Sequence, residues 1–192
     1  MPSFLDPSKP LTTCTRDSCE GCPAAKSVHC HFYGRDLFQF IATMLPAFVI
    51  AGAGIFQVSW VWLVPWLGMI LGYFGLIEIR VMCSHCPHYA EPCRTLKCWA
   101  NYGSPKLWRY RPGPMSRGET FLFFAGFAGV WSYPLFFLLL GSQWFLLLMF
   151  ILASAAAAAT LKVYYCTRCM NFACPLNETG EAARQAFFQC NP

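Results

Sequence analysis

The stretch LFQFIATMLPAFVIAGAGIFQ, residues Leu37–Gln57, contains no charged side chain and decides the fold class. A helix needs about 20 apolar residues to cross the hydrocarbon core of a bilayer. Three further runs of similar length follow along the chain: Val58–Ile77, Phe121–Leu140 and Trp144–Leu161. A lysine or arginine at mid-membrane costs about 2.5–3.5 kcal/mol, so charges are expected only at the ends of such runs. The sequence therefore predicts an all-α membrane protein with four transmembrane helices.

The composition favours the same class. Of the 192 residues, 56% are hydrophobic and only 12% are charged, whereas about 25% of the residues in an ordinary soluble domain are charged. This imbalance argues against a soluble enzyme domain.

Polar residues at the starts of the runs predict where the helices begin. Ser116 followed by Glu119 forms a capping-box pattern before the third run. Asp36, Ser59 and Ser142 are the predicted caps of the first, second and fourth helices.

Small residues within the runs predict close helix packing. Gly68 and Gly72 form a GxxxG pair, and Ala153–Ala159 forms a small-residue face. Prolines within membrane helices are tolerated as kinks, and three are expected here: Pro46, Pro65 and Pro134.

Short links divide the helices into two predicted hairpins. The predicted link between the first two helices is Phe56–Ser59, and the link between the last two is Gly141–Gln143. Both termini and the central loop must then share one side of the membrane. The predicted segments are a cysteine-rich N-terminus (1–35), hairpin one (36–80), a cysteine-rich loop (81–118), hairpin two (119–165) and a cysteine-rich tail (166–192).

The distribution of positive charge predicts the orientation. All 14 lysines and arginines lie in the cysteine-bearing segments or at the helix ends that face them. The positive-inside rule therefore places both termini in the cytoplasm and the protein in the cytoplasmic membrane. The net charge of +5 follows from this topology and does not require a nucleic-acid partner. The polar opening MPSFLDPSKP predicts no secretory signal peptide.

Twelve cysteines fall into three groups of four, each with one CxxC pair. Four thiolates complete one zinc site or one iron–sulfur cluster, so three metal centres are predicted. The groups are Cys14, Cys19, Cys22 and Cys30; Cys83, Cys86, Cys93 and Cys98; and Cys166, Cys169, Cys174 and Cys190.

The reducing cytoplasm and the spacing of the cysteines favour iron–sulfur clusters over disulfides and zinc sites. A reducing cytoplasm disfavours structural disulfides. The first group begins C-x4-C-x2-C, as plant-type ferredoxins do, although its fourth cysteine follows too soon. The third group has Cys174-Pro175, and bacterial ferredoxin motifs also end in Cys-Pro. These local similarities identify no family. We expect up to three [4Fe–4S] clusters, with zinc as the alternative metal.

Four histidines lie beside the cysteines: His29, His31, His85 and His88. Each is either an alternative metal ligand or, as the more ordinary interpretation, a residue that supports the ligands. A predicted amphipathic helix over Asn177–Gln189 would bring Cys190 back toward Cys166. Which cysteines share a centre stays open.

The central loop interleaves aromatic and basic residues between Trp99 and Arg117, a mixture that suits lipid headgroups. A quinone headgroup pocket at this interface is a further expectation. The leading hypothesis is a membrane-anchored iron–sulfur electron-transfer subunit without its own catalytic site. It would connect a soluble cytoplasmic redox protein with a quinone or a partner subunit of a membrane complex. The rivals are a zinc-stapled assembly subunit that docks a partner protein and a thiol enzyme that uses its CxxC pairs.

Overall fold

The computed structural model describes residues 12–14 and 19–190, and these residues form an all-helical protein. Its only β pairings in those ranges are isolated bridges between His29 and Cys169 and between Thr95 and Pro105. The α-helices are α1 (Gly34–Val58), α2 (Trp60–Gly72), α3 (Glu78–Val81), α4 (Pro87–Ala90), α5 (Arg117–Leu140), α6 (Trp144–Thr160) and α7 (Glu181–Cys190). The sequence motif MPSFLDPSKP lies outside the described residues, as does part of the predicted segment 1–35.

Four helical segments are long and apolar enough to cross a membrane, as predicted: Gly34–Val58, Trp60–His85, Arg117–Leu140 and Trp144–Arg168. Many of their large apolar side chains point outward, including Phe38, Leu71 and Phe121, each more than 70% exposed. Such an extensive apolar surface is stable only against lipid or protein.

The second and fourth segments share an irregularity that the hydropathy pattern does not reveal. Each contains a π-helical turn, Tyr73–Ile77 in the second and Leu161–Tyr165 in the fourth. Each then ends in a 3-10 turn that begins at the first cysteine of a CxxC pair, Cys83 or Cys166. Helix irregularities of the π type are frequent at functional sites. Here both π-helical turns precede a cysteine pair along the chain.

Two of the four predicted caps are confirmed. Ser116 and Glu119 form the reciprocal capping box, and the Ser59 side chain accepts a hydrogen bond from the Val61 amide. The prediction for Asp36 is wrong, because α1 begins at Gly34 and Asp36 lies in its first turn. The prediction for Ser142 is also wrong, since Gln143 holds the cap position without a side-chain hydrogen bond.

Helix α1 lies at the centre of the bundle and contacts α2, α5 and α6. Its Ala47, Ala51 and Ile55 are almost fully buried against Trp66 and Leu138. Small residues on α1 let the neighbouring backbones approach, as in other membrane bundles.

Close packing occurs at glycines other than the predicted GxxxG pair. A side chain at Gly126 would collide with the Tyr73 ring, and one at Gly54 would collide with Leu138. Gly68 and Gly72 have open space around them within this chain. The expectation that this pair packs helices together within the chain is therefore wrong.

Buried polar side chains join the helices across the apolar interior. The Trp66 indole donates to the Val130 carbonyl at 3.0 Å, and the Tyr73 hydroxyl donates to the Phe123 carbonyl at 2.7 Å. The Gln143 amide donates to the Gly54 carbonyl at 3.0 Å. Since water is absent from a bilayer core, each polar group there needs such an internal partner.

The cysteine-bearing segments fold together beyond the helix ends. A small hydrophobic core joins the N-terminal segment to the tail through Ala24, Val28, Met170, Phe172 and Phe187. The predicted tail helix is confirmed as α7, although it begins at Glu181 instead of Asn177.

Candidate metal centres

The twelve cysteines are all within the described residues, and all are free thiols. The sulfur contact and the electrostatic effects between thiols group them into two neighbouring assemblies. The N-terminal thiol assembly contains Cys14, Cys19, Cys22, Cys30 and Cys190. The central thiol assembly contains Cys83, Cys86, Cys93, Cys98, Cys166, Cys169 and Cys174.

The N-terminal thiol assembly forms around Cys30. Burial raises the pKa of Cys30 to about 12, and the charges of the four other thiols in the assembly raise it further. The Cys22 and Cys190 sulfurs lie 3.5 Å apart. Helix α7 therefore carries Cys190 to the N-terminal segment, a contact that the sequence did not predict. Cys190 was assigned to the third group because it follows Cys174 in the sequence. In the structure, Phe187 holds α7 in the small core beside Cys22.

The central thiol assembly joins the loop to the tail. Burial raises the pKa of Cys86, and the nearby charges of Cys169 and Cys98 raise it further. Burial likewise raises the pKa of Cys169, followed by the effect of Cys174. Cys86 and Cys169 each come from a different CxxC pair, so the pairs that end the second and fourth helical segments meet here.

Cys93 lies at the edge of the central assembly. Burial lowers the pKa of Lys106, whereas the carboxylate of Glu91 and the charges of Cys93 and Cys86 oppose that shift. The Lys106 ammonium donates to the Glu91 carbonyl at 2.7 Å. The Lys106 side chain is thus held beside Glu91, within electrostatic reach of Cys93 and Cys86.

Amide groups donate hydrogen bonds to several of the sulfurs. The Asn101 backbone amide lies 3.2 Å from the Cys98 sulfur, and its side-chain amide lies 3.3 Å from the Cys83 sulfur. Backbone amides of His88 and Asn171 lower the pKa values of Cys86 and Cys169, partly opposing the effect of burial. Hydrogen bonds to cysteine sulfur stabilise thiolate ligands and tune the potential of iron–sulfur clusters.

Glu78 is a buried carboxyl group beside the central thiol assembly. Its side chain is 8% exposed, and its charge acts on Cys83 and Cys174. Asn101 is a hydrogen-bonding neighbour of the Glu78 carboxyl as well as of Cys83. In the sequence, Glu78 only ends a hydrophobic run, and nothing there predicts that it is buried beside the thiols.

Arg111 ties the central loop to two helical segments. Its guanidinium donates to the Arg80 carbonyl at 2.7 Å and to the Ser84 hydroxyl at 2.9 Å, and it pairs with Glu119. The Arg111 amide also donates to the Ser84 carbonyl at 2.8 Å. Because Ser84 lies inside a CxxC pair, this network positions Cys83 and Cys86. Sequence reasoning grouped Arg111 with headgroup-binding residues and missed this role.

The histidines contact carboxylates and carbonyls. His85 is held between the Gly113 carbonyl, at 3.1 Å, and the Glu119 carboxylate, at 3.5 Å, through its two ring nitrogens. The Nδ1 atoms of His29 and His88 face carboxylates at 3.4 Å and 3.3 Å, respectively. Each of these three histidines therefore lies beside an acidic side chain. His31 is half-buried beside Cys30.

The two assemblies are joined by backbone pairing and aromatic stacking. The His29 amide donates to the Arg168 carbonyl at 2.8 Å, next to Cys169. Trp99, which follows Cys98, stacks on Tyr165 with ring centroids 4.4 Å apart. The Tyr165 hydroxyl donates to the Asp36 carbonyl at 3.2 Å. Every cysteine segment is therefore attached to the same end of the bundle.

The donor set fits thiolate-bound metal chemistry. Soft thiolates select zinc and iron–sulfur clusters over hard cations. Among residues 12–14 and 19–190, no three His, Cys, Asp or Glu side chains converge as the ligands of one metal ion. In a cluster, the thiolates bind different irons and do not converge on one atom. Cysteine side chains from several segments are available at each assembly for such binding.

No family model matches the chain, and no curated protein or solved structure shows significant similarity to it.

Proposed function

We propose that this protein is a membrane-anchored iron–sulfur subunit that transfers electrons at the cytoplasmic face. The observation that carries the proposal is the adjacency of the two thiol assemblies, because His29, next to Cys30, pairs with Cys169 of the central assembly. Adjoining centres provide a path for electrons. Metal sites that only hold loops together would not need to lie next to one another.

Two hairpins and a cytoplasmic orientation complete the proposal. The short link at Ser59 and the link before Trp144 carry no charge, and Gly141 lies against Val58. This proximity supports a common side for the two links, opposite the cysteine segments. The positive charges on the cysteine-bearing side support a cytoplasmic location for that side.

Bound clusters would supply one-electron chemistry, and the chain's own residues would hold and shield them. Cysteine sulfurs would bind the irons, while the amides of Asn101, His88 and Asn171 would stabilise the bound thiolates. Arg111 would keep the Cys83–Cys86 turn in place through Ser84. The buried Glu78 carboxyl would tune the potential of the nearest centre, lowering it where the carboxyl is ionised.

The exposed cytoplasmic surface would receive the redox partner. Tyr102 and Leu107 are both more than half exposed on the central loop, near basic side chains. Exposed aromatic and apolar groups with basic neighbours suit either a protein partner or lipid headgroups. We propose a soluble cytoplasmic redox protein as donor and a quinone or a partner membrane subunit as acceptor.

Electron paramagnetic resonance of sealed membrane vesicles tests both the chemistry and the orientation. Dithionite, a charged reductant that does not cross sealed membranes, should produce a reduced-cluster signal in inside-out vesicles. Right-side-out vesicles should give the signal only after a detergent opens them. The absence of a signal in opened vesicles of either kind would contradict the iron–sulfur proposal. A signal in sealed right-side-out vesicles would contradict the orientation.

A zinc-stapled docking subunit is the second candidate, because a cytosolic thiol-rich loop also suits zinc. The core that joins the N-terminal segment to the tail is small, so a structural metal would stabilise it. Zinc without acid-labile sulfide in the native protein would select this candidate.

A further inference from the structure

The N-terminal thiol assembly contains one cysteine more than a single centre requires. Five thiols surround this site, whereas an iron–sulfur cluster is held by four. Cys14, Cys19 and Cys22 share one short segment, so the question is whether Cys30 or Cys190 is the fourth ligand.

Cys190 reaches the assembly by tertiary packing. Its sulfur lies 3.5 Å from that of Cys22, although 168 residues separate the two in the chain. Phe187, fully buried in the small core, fixes the last turns of α7 against Ala24 and Val28. The Cys190 side chain is therefore delivered to Cys22 by a rigid helix.

Cys30 has a different environment. It is 8% exposed and belongs to the small hydrophobic core. Its sulfur lies 3.6 Å from the Val28 carbonyl inside that core, whereas the Cys190 sulfur directly contacts the sulfur of Cys22. Cys30 thus packs as a small apolar residue of the core.

Replacing Cys30 by Cys190 changes the spacing of the ligands. The set then reads C-x4-C-x2-C followed by a distant cysteine, which is the plant-type pattern of a [2Fe–2S] cluster. We infer that Cys14, Cys19, Cys22 and Cys190 hold a [2Fe–2S] cluster and that Cys30 is not a ligand. The inference rests on the proposed iron–sulfur function and assigns one of its centres.

The assignment has a structural consequence. The two ends of the described chain would be joined through one metal centre, because its ligands come from the N-terminal segment and from α7. Binding of this cluster would then also hold the tail against the N-terminal segment, as a bound metal stabilises the fold of a small domain.

Paired serine variants of the full-length protein test the assignment. After anaerobic purification, Cys190→Ser should lose about two irons and two sulfides per chain, together with the [2Fe–2S] signal. Cys30→Ser and Cys30→Ala should keep the wild-type content. Loss of the [2Fe–2S] cluster in the Cys30 variants, or its retention in Cys190→Ser, would overturn the inference.

A measurement on the wild-type protein keeps the test independent of variant folding. Its Mössbauer spectrum should contain a [2Fe–2S] component beside a cubane component. A spectrum with cubane iron alone would overturn the inference while leaving the iron–sulfur function intact. Wild-type protein without iron would instead overturn the proposed function itself.

Discussion

The double variant Cys86→Ser/Cys169→Ser should lose at least one complete cluster, which corresponds to about four irons per chain for a cubane. The two residues come from the CxxC pairs that meet in the central thiol assembly, where the charge of Cys169 acts on Cys86. Serine keeps the size of the side chain but removes the soft sulfur ligand. Iron and acid-labile sulfide should fall together.

The reciprocal variant Cys19→Ser is the matched control. It lies in the N-terminal thiol assembly and should leave the central iron in place while removing the other centre. The reduced-cluster spectra of the two variants should add up to the wild-type spectrum. Unchanged iron in Cys86→Ser/Cys169→Ser would contradict the assignment of these cysteines as ligands.

Gly126→Ala should destabilise the helix bundle by about 1–3 kcal/mol, the usual cost of overpacking a well-packed interior. A Cβ at this position would collide with the ring of Tyr73. Tyr73 cannot easily move, because it is 3% exposed and its hydroxyl donates to the Phe123 carbonyl on the same helix as Gly126. Thermal unfolding in detergent should show a melting temperature several degrees below that of the wild type.

Gly118→Ala is the control on the same helix. The space around Gly118 is open, so an added methyl group meets no neighbour. Its melting temperature should match that of the wild type. Equal melting temperatures for the Gly126 and Gly118 variants would contradict the packing of α5 against Tyr73.

The sequence predicted the helices well, because a bilayer imposes one simple requirement on each of them. A run of about 20 apolar residues without charge has few alternatives to a spanning helix, and all four runs are helical in the structure. Ser116 was also predictable as a cap, since the capping box depends on Glu119 only three residues away.

The packing of the helices could not be predicted from the same pattern. A hydrophobic run that is apolar on all sides does not show which face meets a neighbour. The GxxxG motif therefore pointed to Gly68 and Gly72, whereas Gly54 and Gly126 make the close approaches. No simple residue signal marks the π-helical turn at Tyr73–Ile77 either.

The cysteines were found from the sequence, but their partners were not. Spacing along the chain identifies only local ligands, so Cys190 was grouped with Cys166. The path of α7 and the burial of Phe187 bring Cys190 to Cys22 instead. Glu78 was overlooked because an acidic residue at a helix end normally lies in water or among headgroups, whereas this one is buried beside thiols.

Metal and sulfide analysis of the anaerobically purified native protein tests the central claim most directly. The protein should be brown and contain iron and acid-labile sulfide in equal amounts, on the order of six of each per chain for one [2Fe–2S] cluster and one cubane. Colourless protein without iron, or protein that holds zinc and no sulfide, would contradict the electron-transfer function.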